Sequence, residues 1–265
     1  MAYKDLGYME KEVDIENLWS QVEEYIAKFA DSSTGRLPYA MQLKHEHTLR
    51  VLDNISIISR GEGFNSRLVN LSKVIAILHD IGRYNQLKKY GTFSDAKSID
   101  HADLSWQISR ESSWLYSLEN ADRELVLLAV KLHNKRELPI DLSGDGLLLA
   151  KAIRDADKID ILKIVEDSLK KPNWEEDSSI WFNKPIYLSP SKAILDSISK
   201  KETPSYIDIA SCVDFILVQL AWIDYGMEFK TSKQICLDRH HFNFRVDFLK
   251  SILGEEEANE VMNAF

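Results

Sequence analysis

The chain has 265 residues, of which 45% are hydrophobic and 28% charged, ordinary values for a globular protein with enough apolar material for a sizeable core. A formal net charge of -9 and the lack of any basic face argue against a nucleic-acid duplex as partner. The two cysteines, Cys212 and Cys236, are too few and too far apart for a zinc knuckle, a redox pair or a disulfide framework, and read as reduced buried thiols.

Apolar residues recur at three- and four-residue steps almost throughout, glycine and proline are scarce, and strand-like alternation is nearly absent, so an all-α fold is expected. The N-terminus, MAYKDLGYMEKEVDIENLW, carries acids where a secretion signal needs a basic and then an apolar stretch. The longest greasy run, Phe215 to Ile223, is interrupted by Gln219 and is about half a membrane span. A soluble, cytoplasmic protein with no membrane partner is expected.

In chain order, the periodicity predicts helices over Met9 to Phe29, Pro38 to Arg60, Ser66 to Ile81, His101 to Ser117 and Ala121 to His133. Further helices follow over Gly146 to Lys170, Ser191 to Lys200, Tyr206 to Tyr225 and Ser232 to Leu253, with a short last one from Glu255. Two stretches break the pattern: Tyr84 to Asp100, containing YGTFSD, and Pro172 to Pro190, which reads as a connector. The expected organisation is a helical domain over 1–170 and a C-terminal helical extension over 171–265, packed into the same globule.

On the second predicted helix, Leu43, His47, Val51, Asn54, Ile55 and Ile58 share one stripe, which sets His47 among core-facing residues. Any one such histidine is more often a neutral imidazole bonded to a carbonyl or carboxylate. The third helix carries the stripe Leu71, Val74, Ile75 and Leu78 straight into His79, Asp80, Ile81 and Gly82. An ionised carboxylate beside greasy residues is costly unless a positive charge meets it, and a metal ion would supply that charge. Gly82 is expected to let the backbone turn away. Around KAIRDADKIDILKIV, the residues Ile153, Asp157, Ile161 and Ile164 share a face, whereas Asp155 and Asp160 read as solvated surface charges. His101 opens one helix and His133 closes another. His45, His240 and His241 have no such placement, and the last two read as surface or helix-packing residues.

The ordered set of His47, then ILHDIGR from Ile77 to Arg83, then Ala-Asp-Lys-Ile from Ala156 to Ile159 resembles the HD superfamily of metal-dependent phosphohydrolases. The stretch HDIGRYNQLKKYGTFSDAKSIDHADL looks closer still to a bacterial branch with an arginine after the doublet and a YGTF-type loop. The resemblance spans roughly Tyr39 to Lys170 and implies an HD-domain helical bundle with additional C-terminal helices packed on it. It implies His47, His79, Asp80 and Asp157 as metal ligands, and His101 and His133 as residues for a second metal or the substrate. One or two divalent ions of Mn, Fe, Co, Ni or Zn suit such a ligand set. The implied reaction is metal-assisted attack of water on a small phosphate ester, a nucleotide being one candidate, with Asp80 orienting the water.

Arg83, Lys88, Lys89 and Lys97 follow the doublet in an otherwise acidic chain and are the candidate phosphate holders. Tyr90 and Phe93 are candidates for stacking on a base, although loop packing is the plainer account. Two rivals stand beside the hydrolase: a di-iron oxygenase of the HD fold, which uses a similar six-ligand set, and a metal-holding regulatory or interaction module. Self-association is left open.

Overall fold

The computed structural model describes residues 12–176 and 181–265, so the predicted start of the first helix at Met9 lies outside the described residues. Among the described residues there are helices and no strands, as the periodicity demands. The chain divides into two compact units, one ending at Arg154 and the other comprising Asp155–Phe265.

The first unit begins with α1 (Ile15–Ala27), started by Asp14, whose carboxylate accepts from the Asn17 amide, and buried along Leu18, Val22 and Ile26. Then come α2 (Tyr39–Gly61) and α3 (Ser66–Leu78), which pack on each other over a wide face. On α2 the buried stripe holds His47, Val51, Asn54, Ile55 and Ile58, as expected, but Leu43 is exposed. After a short turn the chain forms α4 (Gly82–Tyr90), so the stretch expected to be irregular from Tyr84 is helical for its first half. The helix stops at Gly91, in the left-handed conformation with φ 68° that other residues rarely adopt. A one-turn 3₁₀ segment (Asp95–Lys97) leads into α5 (His101–Glu111), and α6 (Asn120–Leu132) packs on both α5 and α3.

Gly82 does not turn the backbone; it lets two helices touch. A Cβ at that position would lie 2.7 Å from the carbonyl oxygen of His101 and from the amide nitrogen of Ser105. The Ser105 hydroxyl accepts from the Gly82 amide at 2.9 Å, which draws the start of α4 against the start of α5.

The division between the units falls within α7 (Gly144–Leu169). The second unit continues with α8 (Lys192–Ser199), α9 (Cys212–Ala221), α10 (Lys230–Asp238), α11 (His241–Leu253) and α12 (Glu255–Met262). Every residue of α9 is buried, making it the central helix of this unit. The helix expected over Tyr206 to Tyr225 is instead a 3₁₀ turn (Tyr206–Asp208), a break capped by Ser211, α9, and a wider final turn (Trp222–Gly226). The one expected over Ser232 to Leu253 is two helices, separated where His240 adopts a left-handed backbone with φ 59°. Both cysteines are free and buried, and burial pushes each thiol up to about 12.

Asp155 and Asp160, expected at the surface, are 0% and 1% exposed. The Asp155 carboxylate accepts from the amides of Glu228 and Phe229 at 3.0 to 3.1 Å, immediately before α10. Charge patterning alone overlooks such a use, because the donors lie more than seventy residues downstream.

Candidate metal centre

Five buried side chains of the first unit converge. His47 comes from α2, His79 and Asp80 from the end of α3, His101 from the first position of α5, and His133 from the residue closing α6. None is more than 5% exposed. His47, His79 and Asp80 each offer a ligand atom within 4.8 Å of the others, as do Asp80, His101 and His133, so Asp80 belongs to both groups.

The hydrogen bonds orient the rings. Nδ1–H of His79 donates to the Ala76 carbonyl at 2.8 Å, and Nδ1–H of His133 donates to the Val130 carbonyl at 2.7 Å. A carbonyl can only accept, so in both rings Nδ1 carries the proton and Nε2 presents a lone pair. His101 donates from Nδ1 to the Asp95 carboxylate at 2.6 Å, with the same result. The consequence is unfavourable electrostatics between His101 and His133, whose Nε2 lone pairs face each other at 3.0 Å, while Nε2 of His79 lies 3.3 Å from Nε2 of His47. Oδ1 of Asp80 lies 3.4 Å from His101 and 3.7 Å from His133, yet accepts no hydrogen bond. Acceptors turned towards one another in a buried place call for cations among them. These residues therefore fit one divalent ion at His47, His79 and Asp80 and a second at Asp80, His101 and His133.

Burial opposes ionisation of Asp80, but the positive charges beside it, Lys44 foremost and then Arg83, outweigh it and hold the carboxyl well below the usual range. Lys44, one turn before His47 on α2, places Nζ 2.8 Å from Oδ2 of Asp80. Sequence reading passed over Lys44; its spacing of three from His47 puts it on the same side of the helix and was the available signal.

Of the expected phosphate holders, Arg83 sits beside the cluster, with Nε 3.5 Å from Oδ1 of Asp80. Its Nη1 donates to Gln86, to the Phe93 carbonyl and to Asp95. Lys88 and Lys89 are exposed on the last turn of α4, over the rings of Phe29 and Tyr90, and Lys97 is exposed on the 3₁₀ turn. Phe93 lies beneath the Arg83 guanidinium at 5.7 Å and near Lys44 at 6.0 Å, a packing role that accords with the plainer reading of this aromatic.

A polar shell surrounds His101. Asp100 caps α5 by accepting from the Ala102 and Asp103 amides, and also holds Lys135 and Asn134. Although its partial burial opposes ionisation, these bonds keep its carboxyl low, at about 2. Asp95, Asp100 and His101 form a third group of ligand-type atoms within 4.8 Å. Asp157, the remaining expected ligand, is half-buried on α7 in the second unit. Its neighbours Ile161 and Ile164 are also half-buried, so the face read as a buried stripe is displaced towards Asp155, Ile159 and Leu162.

Among known families, residues 45–162 match the family model of the HD domain. No curated protein and no solved structure matches the chain significantly.

Proposed function

We propose that the chain, whose residues 45–162 match the HD domain model, is a metal-dependent phosphohydrolase of the HD superfamily acting on a small phosphate ester. The observation that supports this reading most is the pair of overlapping ligand groups that share Asp80, with four buried imidazoles around it. Divalent cations bound there would polarise a phosphoryl oxygen and lower the pKa of a water molecule to near neutrality.

The chain's own groups have separable tasks. Asp80, between the two groups, helps orient the attacking water by one carboxylate oxygen. Lys44 and Arg83, the cations nearest Asp80 in the distances above, meet the negative oxygens of the phosphoryl group. Lys88, Lys89 and Lys97 are retained as more peripheral phosphate attractors, and Asp157 as the further ligand that the sequence pattern proposes. The burial of Ile77, Leu78 and Ile81 next to the His-Asp doublet in the chain keeps its surroundings of low polarity, which strengthens these charge interactions.

The test is metal analysis of the purified protein, followed by a screen of nucleotides and other phosphate esters with the recovered ion restored. The expected result is phosphate release that His79→Ala and Asp80→Ala abolish while the helical circular-dichroism signal persists, together with reduced metal content in Asp157→Ala. Unchanged turnover in the first two variants would sink the proposal. Oxygen uptake with a mixed-valent iron signal, without phosphate release, would transfer the same ligands to an oxygenase.

A further inference from the structure

For His79, His101 and His133 an Nδ1 bond accounts for the orientation of the ring, and one of these bonds differs in kind. His79 and His133 each close a helix, where the carbonyl three residues earlier is within reach, so the helix that carries the ring also aims it. His101 is the first residue of α5, and the residue three before it, Ser98, lies outside any α-helix. Its Nδ1 is instead met by the Asp95 carboxylate at 2.6 Å, from the segment between α4 and α5.

Asp95 is in turn fixed from several sides. Gln86, 0% exposed on α4, donates Nε2 to Oδ1 of Asp95 at 2.8 Å, to the Ser98 hydroxyl and to the Ile99 carbonyl. Arg83 donates Nη1 to Asp95 at 3.1 Å and to the Phe93 carbonyl at 2.6 Å, while Asn134 reaches Oδ2 of Asp95 at 3.3 Å. A surface loop would not be gripped by a fully buried amide and a guanidinium unless the position of its carboxylate mattered.

We propose that Asp95 is a positioning residue that fixes the tautomer and aim of His101 towards the second cation, and that Arg83 and Gln86 hold Asp95 for this task. The inference rests on the two-ion reading of the cluster but concerns a residue outside both ligand groups around Asp80. A carboxylate partner makes an imidazole a better ligand than a carbonyl partner does, so the second ion depends on the 93–99 segment, whereas His79 of the first group is aimed by its own helix.

The experiment is calorimetric titration of the metal-free full chain with Mn²⁺, on the wild type and on Asp95→Asn and Asp95→Ala, with proton–nitrogen NMR of the histidine rings. Two binding events are expected in the wild type. Asp95→Ala weakens only the event that involves His101, by roughly 10- to 100-fold, the usual cost of losing such an outer partner. Asp95→Asn, which keeps an acceptor oxygen, retains the Nδ1–H tautomer of His101 in the NMR spectrum and loses less affinity. Two undisturbed binding events in Asp95→Ala would overturn the positioning role and leave the metal-centre reading standing. A wild type that takes up no ion, or only one, would overturn the inference, and in the former case the metal centre as well. Equal weakening of both events would mean that Asp95 serves the fold alone.

Discussion

At the scale of single residues, the clearest consequence of the geometry is that two cations of the chain already lie against Asp80. Lys44 is 24% exposed and Asp80 is 4% exposed, so the pair faces outward on one side and the metal ligands on the other. Replacing Lys44 by Met is expected to raise the KM for a phosphate ester roughly tenfold, about 1.4 kcal/mol, the size of one charge-assisted hydrogen bond. Because a positive charge that competes with a metal cation for the Asp80 carboxylate is also removed, metal affinity should hold or rise in the same variant. Steady-state kinetics with calorimetry on one preparation checks both; a fall in metal affinity would make Lys44 a structural prop of Asp80. What was legible in the sequence at this scale were residues whose type is rare in an apolar stripe: His47, His79 and Asp80. Lys44 and Asp95 were not, because a lysine near a helix end and an aspartate in a turn are commonplace until their partners are known. The partner of Asp95 is only six residues away, but nothing in one-dimensional spacing says that a turn will fold back onto its own histidine.

Helices were readable as elements, and their junctions were not. The periodic stripes located α2, α3, α6 and α7 within a few residues, since each must bury one face. The extent of α4 was hidden because its sequence, GRYNQLKKY, is polar; it is held by Tyr84 and Gln86 turned inward and by its contact with α5. The break at His240 was hidden for the opposite reason, as apolar residues continue in near-helical spacing across it. The tightest junction makes a prediction at this scale. Adding one methyl in Gly82→Ala would collide with backbone of His101 and Ser105, atoms that cannot swing aside as a side chain can. The start of α4 must then move away from the start of α5, costing about 1–3 kcal/mol. His101 opens α5, so the same shift should weaken the binding event assigned to His101 more than that of His47 and His79. Chemical denaturation and Mn²⁺ titration of the variant test this together, and unaltered stability would show that α4 and α5 approach less closely than 2.7 Å implies.

For the molecule as a whole, acid sensitivity follows from the polar interior of the second unit. Arg245 is 0% exposed and donates to Gln219 at 2.8 Å, to the His241 carbonyl at 2.9 Å and to the Leu162 carbonyl at 2.8 Å. Burial lowers its pKa to about 10, still far above neutrality, so the interior carries a permanent positive charge. Glu166 lies 4.0 Å from that guanidinium and accepts from His241 Nδ1 at 2.8 Å. Burial opposes its ionised form, but its bonds to Lys170 and His241 prevail and hold the carboxyl below its ordinary value. His241 is lowered too, chiefly by burial, with the Glu166 hydrogen bond opposing. Both groups bind protons more readily when unfolded, so both withdraw stability in the same direction. The contribution of His241 is complete above its unfolded value of 6.5 and fades as the pH falls through its folded value. That of Glu166 is complete above 4.5 and is lost further into acid. The thermal midpoint is therefore expected to decline from about pH 6.5 downward in two overlapping stages, with the upper stage missing in His241→Gln. Arg245→Met separates charge from packing: it leaves three acceptors without that donor and Glu166 without a nearby positive charge, and should destabilise by several kcal/mol at neutral pH. A midpoint that stays level from pH 7 to pH 4, or an Arg245→Met protein as stable as the wild type, would mean that this buried network is not what holds the second unit together.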